Sequence, residues 1–240
     1  VTGFRVGELL EQPNLGSVSC EAGLNGVVGK GLIDARVDGS VSQLEFNGYD
    51  YDSLRFGGRL TEKTFNGHVR ADDPALRFDF QGEVGFNPER PHYDFDLDLI
   101  HADLARMHLN RRDSVSVLSA LVEARASGRT LDDLNGKVTV GDVVYRYNAD
   151  TLRTTRLTLD GQNSAGSKYL SLQSEFADAT FRSRTDYKTV FEYLRSSLEK
   201  YIPLLYDEQK ARKRAAGAVS VVDDYSVLSV DVKHFTPVAD

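Results

Sequence analysis

This 240-residue chain has no tryptophan, one cysteine and one methionine. It has no apolar run near the ~18 residues that a membrane-crossing helix needs. Each absence removes a class of protein. A lone Cys20 permits no intramolecular disulfide and rules out four-cysteine zinc patterns. Its neighbours are Ser19 and Glu21, with no histidine nearby, which argues against a reactive thiol. Without tryptophan the broadest aromatic platform for a sugar ring is missing, which counts against a carbohydrate-binding or carbohydrate-cleaving β protein. Positive charge is short as well. Lys and Arg number 29 against 36 Asp and Glu, a net charge of −7, whereas a nucleic-acid surface needs clustered cations. The one basic cluster, Lys210-Ala211-Arg212-Lys213-Arg214, reads as a solvated helix face.

The motifs of common catalysts are also missing. There is no G-x-S-x-G elbow, no P-loop, and no G-x-G-x-x-G between a strand and a helix. Ser114-Val115-Ser116 reads as the polar face of a strand. Asp94, Asp96 and Asp98 lack the glycine and later glutamate of a calcium-binding loop, and a strand spreads them about 6–7 Å apart along a solvated face. His92, His101 and His108 lack the spacing of a helical zinc pair, and His68 and His234 have no partner in the sequence. No carboxylate pair stands out as an acid/base couple. The expectation is a protein without catalytic residues, metal or cofactor.

What the chain does have is alternation. Tyr93, Phe95, Leu97 and Leu99 fall on one side of a strand whose other side carries Asp94, Asp96 and Asp98. Leu76, Phe78 and Phe80 alternate with Arg77 and Asp79; Leu157 with Leu159, and Leu170 with Leu172, repeat the pattern. Period two with one dry and one wet face marks antiparallel strands, because successive side chains leave a strand on opposite sides. An apolar-polar-Gly triplet recurs: Leu24-Asn25-Gly26, Phe46-Asn47-Gly48, Phe65-Asn66-Gly67, Phe80-Gln81-Gly82, Leu134-Asn135-Gly136 and Leu159-Asp160-Gly161. Asn-Gly suits type I′ hairpin turns, and some of these glycines are expected at bulges within strands.

Two segments break the alternation. Leu104, Met107 and His108 stand at helical spacing and predict a short helix over about 102–109. From Asp186 to about Ala216, Val190, Phe191, Leu194, Leu198, Tyr201, Ile202 and Leu205 share one helical face, with Pro203 set to kink or end the helix. The expected organisation is therefore a β segment over 1–185, an amphipathic helical segment over 186–216, and a returning strand segment over 217–240. The fold class is mainly β: a long antiparallel sheet, too large to stay flat, which curls or closes. Its dry face is either the core of a closed β-sandwich that serves as a structural or interaction module, or the lining of an open groove for an apolar ligand. The chain opens on Val1 inside strand-like sequence with no signal-peptide pattern, so a piece of a longer polypeptide is expected, its targeting and anchoring signals lying outside these residues.

The order of elements carries a resemblance. Leu134-Asn135-Gly136-Lys137-Val138-Thr139-Val140 is followed by Tyr145-Arg146-Tyr147-Asn148 and Leu157-Thr158-Leu159. LSLQSEFADATF, Leu170 to Phe181, then leads into the helical pattern of Tyr187 to Tyr201, and Asp103-Leu104-Ala105-Arg106 follows a strand. Over most of its length the chain resembles the periplasmic part of TamB-like proteins of the AsmA-like superfamily. The resemblance implies a curled, groove-like β-taco in the periplasm, part of a protein anchored in the inner membrane. It implies bridge-like transfer of phospholipid toward the outer membrane, and support of outer-membrane protein assembly with a partner barrel through regions outside this segment. The implied contacts are phospholipid acyl chains, not nucleic acid. The side chains expected to line the groove are Leu76, Phe78, Phe80, Tyr93, Phe95, Leu97, Leu99, Leu170 and Leu172.

Overall fold

The alternating segments form one antiparallel sheet. The computed structural model describes residues 2–5, 14–29, 32–164, 166–187 and 226–233. Its strands, in chain order, are β1 (Phe4–Arg5), β2 (Leu15–Gly29), β3 (Leu32–Phe46), β4 (Tyr49–Tyr51), β5 (Leu54–Thr61), β6 (Thr64–Asp72) and β7 (Leu76–Gly85). They continue as β8 (His92–Asp103), β9 (Ser116–Ser127), β10 (Asn135–Tyr147), β11 (Asp150–Ser164), β12 (Ser167–Ser174), β13 (Ala177–Ser183) and β14 (Val227–Val232). Each strand pairs with its neighbour in sequence, in the order β1-β2-β3-β5 and onward to β14, while β4 folds back on β3 alone. The sheet does not close, and among the described residues no second sheet packs on it. The described strands therefore do not build the closed sandwich that the sequence also allowed.

Hairpin geometry follows local chemistry at some turns. Asn47 and Gly48 have φ of 54° and 76°, the pair of positive values that a type I′ turn requires. Between β5 and β6 the Thr61 hydroxyl accepts the backbone N–H of Thr64 at 3.0 Å and so closes the turn. The other apolar-polar-Gly triplets are not turns. Gly26, Gly67, Gly82, Gly136 and Gly161 lie inside β2, β6, β7, β10 and β11. The two copies of Phe-Asn-Gly thus have different structures, because the second is committed to ladder pairs on both sides.

The helix expected over 102–109 is corrected to a single turn. Strand β8 runs on through Asp103 because Ala102 and Asp103 still pair with Leu118 and Val117 of β9. The Asp103 carboxylate then accepts Arg106 N–H at 2.9 Å, and the Met107 N–H reaches the Asp103 carbonyl at 2.9 Å. His108, at φ 59°, ends the turn, and the N–H groups of Leu109 and Asn110 both return to the Leu104 carbonyl. That closure is the same device that ends full helices, applied after one turn. The longer amphipathic segment expected over 186–216 lies, beyond Tyr187, outside the described residues. So does the returning segment before Ser226.

A cluster of buried apolar side chains lies at one end of the sheet. Tyr51, Ala75, Ala102 and Met107 form a small core, with Leu44, Tyr49, Leu54, Leu76, Leu99, Leu104 and Leu118 packed around it. Irregular register occurs twice between β2 and β3 and once each at β7–β8, β8–β9 and β9–β10. Bulges of this kind bend a strand and increase its twist.

Candidate functional site

Ladder register assigns every strand residue to one of two faces, since directly opposed residues share a face. One row runs from Leu24 through Val37, Gly58, Gly67, Gly82, Phe95, Ala124, Val138, Leu159, Leu172 and Ala179 to Val230. It crosses twelve strands without a polar side chain. A parallel row, Phe56-Val69-Phe80-Leu97-Val122-Val140-Leu157, lies beside it. On the other flank Leu60, Phe65, Val84, Tyr93 and Ala126 lead to Gly136, Gly161, Leu170, Phe181 and Leu228. At about 4.8 Å per strand, eleven ladder steps span on the order of 50 Å along the sheet.

All nine residues expected to line a groove lie on this face. Phe78, Phe80, Tyr93, Phe95, Leu97 and Leu99 form one patch on β7 and β8, and the Phe80 and Phe95 rings meet at 5.1 Å between centroids. Leu170 and Leu172 lie four strands away on β12, joined to the patch through the rows above. Leu76 and Leu99 reach the packed end of this face, against the small core. Sequence reading missed the connecting residues: Val37, Val69, Ala120, Val122, Ala124, Val138 and Val140. A signal was present in Ala120-x-Val122-x-Ala124-x-Ala126, but alanine marks a dry face weakly and Leu121 interrupts it from the opposite side.

The rows alternate large and small side chains. Where Gly58, Gly67 and Gly82 stand in line, the adjoining backbone takes the space a Cβ would need. A methyl group on Gly67 would meet the Gly57 carbonyl oxygen and, at 2.7 Å, the Gly58 Cα. Mid-strand glycines with such close approach mark bends in a sheet.

Most of the central side chains on this face, Phe56, Val69, Phe80, Phe95, Leu97, Val122 and Leu157 among them, are half-buried. They touch one another laterally, and no described element covers them. Toward the β14 edge exposure rises: Leu228 is 52% and Val230 57% exposed. At the end opposite the small core, Tyr187 packs on Phe181 at 5.0 Å and donates its backbone N–H to Asp132 at 2.7 Å.

The other face carries charge. Arg125 Nε meets Asp94 at 2.9 Å and its Nη2 meets Asp96 at 3.0 Å. Arg59 clasps Asp34 with bonds of 2.8 and 2.7 Å, which holds that carboxyl below its usual range. Glu83 is likewise held low, first by Asn66 at 2.9 Å and then by His92 at 2.7 Å. Asp94 and Asp96 therefore flank a guanidinium. His92 and His101 stand at opposite ends of β8, roughly 30 Å apart at strand rise, too far to share a ligand. The clefts of about 430, 570 and 560 Å³ among the described residues open mainly between charged-face side chains such as Lys137, Arg156, Glu123 and Asp34. They are open troughs, and the second also borders Leu97, Leu121 and Val122. The apolar face is a broad surface rather than a pocket.

Comparison with protein-family models, with curated proteins and with solved structures found no match in any of the three.

Proposed function

We propose that this chain is a segment of a TamB-like envelope protein and that its apolar face shelters the acyl chains of phospholipid. The observation that carries this reading is the unbroken apolar row across twelve strands, with no described element covering it. A sealed core would need a second layer. A broad uncovered apolar surface of this extent calls for an apolar partner. Exposing a methylene to water costs about 0.8 kcal/mol, so a dry stripe running along the sheet removes much of the barrier to moving an acyl chain between membranes. The close-approach glycines and the bulges favour a sheet that bends rather than lies flat, as a groove requires.

On this reading the segment works in the periplasm, within a protein anchored in the inner membrane. It supports phospholipid movement to the outer membrane and, through regions outside this segment, outer-membrane protein assembly with a partner barrel. The role needs no catalytic group and no cofactor: function resides in a surface.

Photo-crosslinking side chains placed one at a time at Phe78, Phe95 and Leu97 of the full-length protein in cells test the reading. Phospholipid adducts are expected at these positions and not at Arg70 or Asp96 on the charged face. Equal capture from both faces, or none from the apolar one, would refute it.

A further inference from the structure

We infer that β14 is an acceptor edge for an additional strand, and that the strand it selects carries aliphatic residues at alternate positions and a Lys or Arg beside Asp231. Strand β14 is the last in the sheet order, and no described strand pairs with its outer side. All six of its residues are exposed. The Lys233 N–H reaches back to the Phe176 carbonyl at 3.0 Å. Because inward and outward backbone groups alternate along an antiparallel strand, Leu228, Val230 and Val232 then present their N–H and C=O groups outward. An edge rich in β-branched residues with free backbone groups is a template for strand addition.

Side-chain chemistry defines the incoming strand. Leu228, Val230 and Val232 lie on the apolar face, so every second residue of the partner must be aliphatic to continue that face. On the charged face Asp231 stands directly opposite Asp178, and like charges so placed are unfavourable. Lys233 neutralises Asp178 at 2.6 Å, but Asp231 has no cation among the described residues. Elsewhere on this face cross-strand Arg–Asp pairs answer such carboxylates, as Arg59 answers Asp34 and Arg125 answers Asp94. A Lys or Arg on the incoming strand beside Asp231 completes the same arrangement at the edge.

The test uses the whole 240-residue chain and two fluorescein-labelled decapeptides, one alternating Val with Lys and one alternating Val with Glu. The Val/Lys peptide is expected to bind at least tenfold more tightly by anisotropy and to slow amide exchange of Leu228, Val230 and Val232 at least tenfold. Val230→Pro removes an outward N–H without breaking a bond to β13, and should abolish binding while leaving the thermal transition in place. Asp231→Lys should reverse the peptide preference. Binding that survives Val230→Pro, exchange protection elsewhere than β14, an unchanged preference in Asp231→Lys, or no binding of either peptide overturns the proposal.

Discussion

Asp73 is 1% exposed at the bend between β6 and β7, and its carboxylate accepts three hydrogen bonds. The donors are the Tyr49 hydroxyl at 2.9 Å, Asp52 N–H at 3.0 Å and Ala75 N–H at 2.7 Å. Asp73→Ala leaves those groups unpaired in a dry site, and about 3 kcal/mol should be lost in urea denaturation. The same contact shapes the alkaline limit. Burial first, and the Asp73 hydrogen bond second, push the Tyr49 hydroxyl up to about 12. A tyrosine in the unfolded chain ionises near 10, so Tyr49 contributes stability that is whole below pH ~10 and fades as pH climbs toward 12. Tyr49→Phe should flatten that part of a stability-versus-pH curve. A second residue-scale contrast lies in the glycines. Gly67→Val forces a side chain into the backbone of β5 and should cost about 2–3 kcal/mol, while Gly141→Ala, whose nearest atom would be the Thr155 oxygen at 3.5 Å, should stay within about 1 kcal/mol.

Two turns distant in sequence hold one end of the sheet together. Asn47, in the β3–β4 hairpin, donates its side-chain amide to the His108 carbonyl at 2.9 Å, and the His108 ring meets the Asn47 carbonyl at 3.1 Å. Asn47→Ala should speed amide exchange at Met107 to Asn110 before any other part of the sheet, while thermal unfolding shifts by only a few degrees. What could be read in advance at this scale depended on the range of the interaction. Tyr93-x-Phe95-x-Leu97-x-Leu99 announces a half-dry strand because its period is local. Phe65-Asn66-Gly67 misleads as a turn because its fate is set by Gly58 and Gly82, residues of other strands. Leu104, Met107 and His108 look helical because one turn has the same spacing as many. Nothing local says that pairing of Ala102 with Leu118 consumes the first residues of that pattern. The bulky residues of the apolar face could be read from the sequence. The alanines and valines linking them become visible only through register.

At the scale of the molecule, the apolar face behaves unlike a core. Leu97 is half-buried, with no described element above it. Leu97→Arg should therefore cost about 1 kcal/mol in urea denaturation, because the long side chain can lift its charge into water; in a sealed interior the same change would cost several times more. If the face shelters acyl chains, the same variant should capture at least tenfold less phospholipid in the crosslinking experiment. Acid should act on the other face. Asp34, Glu83 and Asp178 are held below their usual range by Arg59, by Asn66 with His92, and by Lys233. Their stabilisation is present above pH ~4 and is lost as pH falls below it.

The strictly sequential strand order has a consequence for growth. Each ladder joins segments adjacent in the chain, apart from β13 and β14. A hairpin can thus be inserted or deleted between two others without rerouting the chain, and each one changes the length of the dry stripe by about 10 Å. Architectures with nearest-neighbour coupling tolerate such changes because no distant contact has to be rebuilt. The molecule is in this respect a ruler graduated in hairpins, and its length is set by how many of them the chain carries.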